Sequence, residues 1–283
     1  MINIFAQQPE WIGDDDRIYR PIVVPSPTKS GPSLSYKIEP EFMYHRHRVM
    51  LPPELIKGKT ILDIGSCMGA TGAWCLANGA KHYTGIEKLE RYVEPSTKLF
   101  TKYFDPAQFE IIQSDIAEFE TDQQYDIVVV SGMLYAVFDS FGFMEKVSRL
   151  CRETIIVDTV HPFNGYRRLY PNATDQERKD ISKVISIIQP SERIRMQSVQ
   201  EKVSVRVTAS IVSVQALIMI MKNHNFEYNE ELYNQAEVEM PYYYDIAVHN
   251  RYMAKFSKTD KILTTEPTVV ASQWNDTGPS IIK

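Results

Sequence analysis

The chain is predicted to fold as a doubly wound α/β domain. Three observations predict it: short apolar runs alternate with amphipathic stretches between about residues 60 and 160, several of those runs are apolar on both faces, and glycines with other small residues stand where the first run ends. Alternation of this kind means parallel strands joined by right-handed helical crossovers.

Taken in order, the spacing predicts a strand at Thr60–Gly65 (TILDIG), a helix at Ala70–Gly79 (ATGAWCLANG) and a strand at His82–Glu87 (HYTGIE). A helix follows at Arg91–Phe104, then a strand at Phe109–Asp115 (FEIIQSD), a short helical or looped link, and a strand at Tyr125–Gly132 (YDIVVVSG). The rhythm closes with a helix at Phe141–Cys151 and a strand at Thr154–Val160. IVVV and TIIV have no polar face, as a sheet covered by helices on both sides requires. After Val160 come turn signals, a polar helix near residues 175–188 and strand-like pieces such as EKVSVRV, read as an insertion over about 161–206. A helix over IVSVQALIMIMKNHN is expected next, with FEYNEELY and NRYMAKFSK forming an antiparallel edge hairpin.

Upstream, PIVVPSPTKSGPS cannot sustain a helix because proline and glycine recur every few positions. A short helix within residues 39–55 is expected to end at Pro52 and Pro53. The expected organisation is an N-terminal arm or lid over 1–55, a ligand-binding domain over 56–258 carrying the insertion, and a tail over 259–283.

With 283 residues and 43% hydrophobic content, the chain can bury a sizeable core. A formal net charge of −5 argues against general nucleic-acid binding, which depends on clustered Lys and Arg. Cys67, Cys75 and Cys151 show no zinc spacing, and an odd number of cysteines suits a reducing compartment. The opening residues lack a secretory pattern and no apolar run reaches the roughly 20 residues that span a bilayer, so a cytoplasmic protein without membrane attachment is expected. The two histidines of YHRHR (Tyr44–Arg48) raise a metal question, but no third ligand matches their spacing. No metal is expected, and that basic stretch reads as helix surface or substrate contact.

Ligands of such sheets bind beyond the carboxyl ends of the strands, where strand order reverses. Gly65, Ser66, Cys67 and Gly69 keep that space clear after the first strand, and Gly72 permits the next helix to approach the sheet. The bend is not a P-loop, because no Lys follows Gly69 or Gly72. A dinucleotide fingerprint would place glycines at 65, 67 and 70, where Cys67 and Ala70 stand, which weakens a nicotinamide-dependent oxidoreductase. S-adenosylmethionine suits the bend better: it has no phosphate and carries a sulfonium cation, which Asp63 favours by charge. Glu87, ending the second strand, is placed to accept from both ribose hydroxyls. Asp115 ends the third and can accept from the adenine amino group, with Ile116 against the ring. Ser131 follows the fourth strand, where the reactive methyl points.

On these residues the chain resembles the class I S-adenosylmethionine-dependent methyltransferases, with a weaker resemblance to the branch of tRNA wobble-uridine methyl and carboxymethyl transferases and small-molecule methyltransferases. The match rests on LDIGSCMGATG, GIEK, QSDI and YDIVVVSGMLYAVFD over about residues 60–160. The resemblance implies a Rossmann-like sheet, mostly parallel with an antiparallel C-terminal edge, and methyl transfer to a polar acceptor, a small molecule or a nucleoside. Cys67 replaces the family's usual middle glycine, and Ala136 stands where LYH in that branch has its histidine, so that histidine's chemistry does not carry over. Tyr135 is a candidate for touching substrate or sulfonium. His161 is a candidate general base, and Asn164, Arg167 and Arg168 are candidates for gripping an anionic substrate group. Carboxymethyl or methyl transfer to a tRNA nucleoside, and a noncatalytic scaffold keeping the fold, stand as alternatives.

Overall fold

The computed structural model describes residues 46–160, 187–188, 194–196, 205–207, 211–239 and 251–261, together with Thr174. Residues 46–50 are helical and lead into α1 (Pro53–Ile56), followed by β1 (Thr60–Ile64), α2 (Ala70–Ala77), β2 (His82–Glu87), α3 (Glu90–Tyr103), β3 (Phe109–Gln113), β4 (Tyr125–Ser131), α4 (Ser140–Leu150) and β5 (Cys151–Val160). Two small antiparallel pairs come next: β6 (Ile187–Ile188) with β9 (Ile211–Val212), and β7 (Ile194–Met196) with β8 (Val205–Val207). The described chain then continues through α5 (Val214–Lys222), β10 (Phe226–Asn229), α6 (Glu231–Glu239) and β11 (Arg251–Lys258).

Seven strands form one sheet in the order β10-β11-β5-β4-β1-β2-β3. β1 to β5 pair in parallel, whereas β11 runs antiparallel to both β5 and β10. The chain steps outward from β1 to β3 and then crosses back to β4 on the other side of β1, which sets the strand-order reversal between β1 and β4.

Strand side chains alternate between faces, and here both faces are covered. Ile61, Ile127, Val129, Ile156 and Met253 pack on one side with Trp74, Phe100 and Leu232. Their neighbours Leu62, Val128, Val130, Ile155 and Ala254 pack on the other with Met144, Leu217 and Met221. This arrangement is the reason the strands read as unbroken apolar runs.

The structure corrects three local expectations. The helix over IVSVQALIMIMKNHN starts at Val214: β-branched Ile211 and Val212 pair with β6, and Ser213 caps α5 by accepting from the Ala216 amide at 3.2 Å. FEYNEELY splits into strand β10 and helix α6, with Asn229 accepting from the Glu231 amide at 2.7 Å where the helix begins. Helical residues 46–50 end before Pro52 as expected, but Pro53 also opens a helix, occupying the first turn of α1, where a missing N–H costs nothing. The polar helix near 175–188 falls outside the described residues except for Ile187 and Ile188, which are strand. Residues 1–45, most of 161–206 and 262–283 also lie outside them.

Gly72 shows how tightly α2 seats. A Cβ there would approach the rings of Tyr83 and Phe100 closer than the 3.0 Å that real Cβ atoms keep, and both rings are fully buried. Gly72→Ala is therefore expected to cost about 1–3 kcal/mol despite alanine's better helix propensity, lowering Tm by several degrees in a thermal melt.

Candidate functional site

The carboxyl ends of β1, β2, β3 and β4 converge at the strand-order reversal. After β1 the backbone turns through three positive φ angles, at Gly65 (78°), Cys67 (50°) and Gly69 (86°), before α2 begins. Gly65 has no room for a side chain, because the Met133 thioether packs directly on it; Gly69 is held open in the same way for the Phe100 ring. The amides of Gly65 and Ser66 both donate to the Ile86 carbonyl at 2.8 and 3.0 Å, which ties the bend to β2. Cys67 tolerates its left-handed backbone because its amide donates to Glu87 Oε2 at 3.0 Å.

Glu87 is thus part of the bend's scaffold as well as a candidate ligand. Its other oxygen, Oε1, accepts from the Leu89 amide at 2.8 Å. Each carboxylate oxygen offers about two acceptor positions, so one on each remains for further donors. Asp115 stands half-buried beyond β3, with Oδ2 accepting from Lys88 at 2.6 Å and Oδ1 from the Ala117 amide at 3.0 Å. Those two bonds hold its carboxyl below the usual range, the Lys88 hydrogen bond first. Ile116 is buried beside it.

Asp63 lies deeper than its position before the bend suggests. It is 2% exposed, and Tyr83 donates its phenol hydrogen to Oδ2 at 2.9 Å. Burial pushes its carboxyl up to about 6, against the hydrogen bonds of Tyr83 and Thr71 and the charge of Arg46, which act downward. Ser66 is also buried, and no well-formed hydrogen bond satisfies its hydroxyl among the described residues.

At the other side of the reversal, Ser131 ends β4 and Asp158 lies one register across on β5. Asp158 is fully buried between two guanidinium groups. Arg46 donates to Oδ2 from Nε at 2.8 Å and Nη2 at 2.6 Å, while Arg251 donates to Oδ1 from Nη2 at 2.7 Å. Arg46 Nη2 also donates to Ser131 Oγ. Burial alone would raise the Asp158 carboxyl, but the charges and hydrogen bonds of Arg251 and Arg46 outweigh it and hold it below its ordinary value. This corrects the helix-surface expectation for the described part of YHRHR: Arg46 and His47 are buried, His47 lying 3.4 Å from Thr71 Oγ1 and beside the Trp74 ring, whereas Arg48 reaches outward, to Glu239. Sequence reasoning marked the stretch holding Arg46 as helix surface or substrate contact but missed its pairing with Asp158, and missed Arg251 altogether; no local signal marks buried ion pairs whose members lie 112 and 93 positions apart.

Tyr135 sits half-buried in a 3-10 turn just past β4, its hydroxyl near Gly132. Asp139 caps α4, accepting from the Gly142 amide at 3.0 Å. The structure therefore gathers Asp63, Gly65, Ser66, Cys67, Gly69, Glu87, Asp115, Ile116, Ser131 and Tyr135 along one edge of the sheet. His161, Asn164, Arg167 and Arg168 lie outside the described residues. No cluster of metal-ligating side chains occurs among the described residues, and no described helix is long and apolar enough to cross a membrane.

Comparison with known proteins agrees with this fold. A proposed S-adenosylmethionine-dependent methyltransferase from Listeria monocytogenes superposes with a TM-score of 0.52 at 18% identity, covering 77% of this chain and 98% of its own. One from Mesorhizobium loti gives 0.51 at 13%, covering 76% and 97%. The 1,6-didemethyltoxoflavin-N1-methyltransferase of Burkholderia thailandensis, with 1,6-didemethyltoxoflavin and S-adenosylhomocysteine bound, gives 0.51 at 12%, covering 78% and 82%. No curated protein matches the sequence. The family model for the methyltransferase domain matches residues 55–264, most of the chain. With that match and the seven-stranded sheet, the chain belongs to the methyltransferase domain family, within the class I S-adenosylmethionine-dependent enzymes.

Proposed function

We propose that the protein transfers the methyl group of S-adenosylmethionine to a polar small-molecule acceptor, over the carboxyl ends of β1 to β4. The observation that carries the cofactor assignment is Glu87: its carboxylate is held by two backbone amides, yet keeps an acceptor position on each oxygen for a pair of ribose hydroxyls. Gly65 and Gly69 supply the left-handed turns of the bend that would lie beneath the methionine portion, and the buried Ser66 hydroxyl, close to the Tyr83 phenol, is a further polar group there. Asp115 and Ile116 border the adenine position, and Ser131 and Tyr135 the methyl.

When bound, the cofactor supplies an already activated carbon. The chain's task is then to align nucleophile and leaving group and to exclude water. Arg46 and Asp158 are committed to each other, which leaves acceptor contacts to Tyr135 and to His161, Asn164, Arg167 and Arg168 beyond the end of β5. His161 would take a proton from a hydroxyl acceptor. The net charge of −5 favours a small acceptor over a nucleic acid, whose affinity depends on clustered cations. Residues 1–55 would serve as arm or lid, 56–258 as the catalytic domain and 259–283 as a tail.

Calorimetric titration tests the cofactor assignment. Binding of S-adenosylmethionine and S-adenosylhomocysteine at micromolar concentration is expected, with no heat from NAD; binding of NAD alone would overturn it.

A further inference from the structure

Tyr83 takes no direct part in the contacts proposed above, yet the fold makes unusual room for it. Its ring is fully buried and stacks on Phe100 at 5.4 Å between centroids and 22° between planes. Gly72 and Gly85 both yield space to it: a Cβ at either would come within 3.0 Å of Tyr83 atoms. A phenylalanine would keep the ring's contacts with Gly72 and Phe100, but at Gly85 the atom approached is the phenol oxygen itself. The hydroxyl is accounted for by what it reaches, the Asp63 carboxylate at the tip of β1.

We propose that Tyr83 is a positioning residue for the cationic end of the cofactor: its phenol holds Asp63 charged and fixed beneath the glycine bend, so that a sulfonium or ammonium group above the bend meets a preset negative charge. This rests on the S-adenosylmethionine assignment. A buried carboxylate is costly to ionise unless donors and cations offset the lost water. Every element packed around Asp63 bears on that balance. β2 brings Tyr83 as donor and Glu87 as a like charge; α2 brings the Thr71 hydroxyl and the Cys75 thiol; the helical residues 46–50 bring the charge of Arg46, with His47 next to Thr71. Burial and the Asp63 charge push the Tyr83 phenol well above its ordinary value, so it remains a donor throughout the working range.

The sign follows. Asp63, raised to about 6, is charged above that pH and neutral below it. A cation above the bend binds best to the charged form, so affinity falls as pH drops through that value. Removing the phenol removes a bond that favours the charged form, which moves the fall to higher pH.

The test is calorimetry of S-adenosylmethionine on the full chain between pH 5 and 8, for the wild type, Tyr83→Phe, Asp63→Asn and His47→Gln, with a thermal melt to establish that each variant is folded. Wild-type affinity is expected to fall about tenfold across the range. In Tyr83→Phe the fall should be centred about one pH unit higher. Asp63→Asn should bind weakly with a flat profile, and His47→Gln should keep the wild-type profile, which assigns the titration to Asp63. A Tyr83→Phe midpoint equal to the wild type's, or a sloping Asp63→Asn profile, overturns the inference while leaving the cofactor assignment intact; a wild type that does not bind at any pH overturns both.

Discussion

Replacing Glu87 by alanine is expected to weaken S-adenosylmethionine binding by about a hundredfold, the largest effect on affinity of any single change at the strand tips. Two terms add. Loss of the charged acceptor shared by two ribose hydroxyls, which water can partly replace, costs about 1.5–3 kcal/mol in all. The same change frees the Cys67 amide, whose bond to Glu87 holds a non-glycine residue at a φ of 50°. Glu87→Gln separates them. Its amide oxygen can keep one backbone amide while the charge disappears, so a loss of about tenfold is expected. Calorimetric Kd values for the three proteins check both figures, with Tm recorded to show that the sheet survives. Affinity unchanged in Glu87→Ala would mean that the ribose is held elsewhere.

The place of Glu87 beside the bend was readable in the sequence because the information is local: an acid closing the apolar run of the strand next after the glycines. The sheet was readable for the same reason. Ile61, Leu62, Val128 and Val129 are apolar on successive positions, and only a sheet covered on both faces buries them all. Boundaries were less so. Ser213 and Asn229 both carry the side-chain oxygen of a helix start, a signal outweighed by the apolar run around the first and the aromatic pattern around the second. What the sequence does not display is pairing at a distance. Asp63 looks like a solvated strand end until Tyr83, 20 positions on, is seen to cover it, and Arg46 looks like one of several surface bases until the fold brings it to Asp158. Charged side chains far apart in the chain have no periodicity that marks them as buried.

That buried pairing makes Asp158→Asn the substitution expected to cost the most stability. Arg46 and Arg251 have side chains only 10% and 13% exposed, and Asp158 is the carboxylate both of them grip. Neutralising it leaves two desolvated guanidinium groups facing each other, and breaking a buried pair from one side typically costs about 3–5 kcal/mol. For a domain of this size that corresponds to a Tm lower by about 10 °C. The asparagine keeps shape and hydrogen-bonding oxygen, so the loss reports charge, not a cavity. The acid limb gives a second check. Asp158 is held below its ordinary value of 3.8, so its stabilisation is present above that pH and disappears as pH falls through the lower folded-state value. Wild-type stability should therefore drop on acidification below about pH 4 more steeply than that of Asp158→Asn, which has no such charge to lose. Urea unfolding in a series from pH 7 down to about pH 2 would show the two proteins converging. Equal stability at pH 7 would mean that the arginines find other acceptors, and that Asp158 does not join the helical residues 46–50 to the β5–β11 side of the sheet.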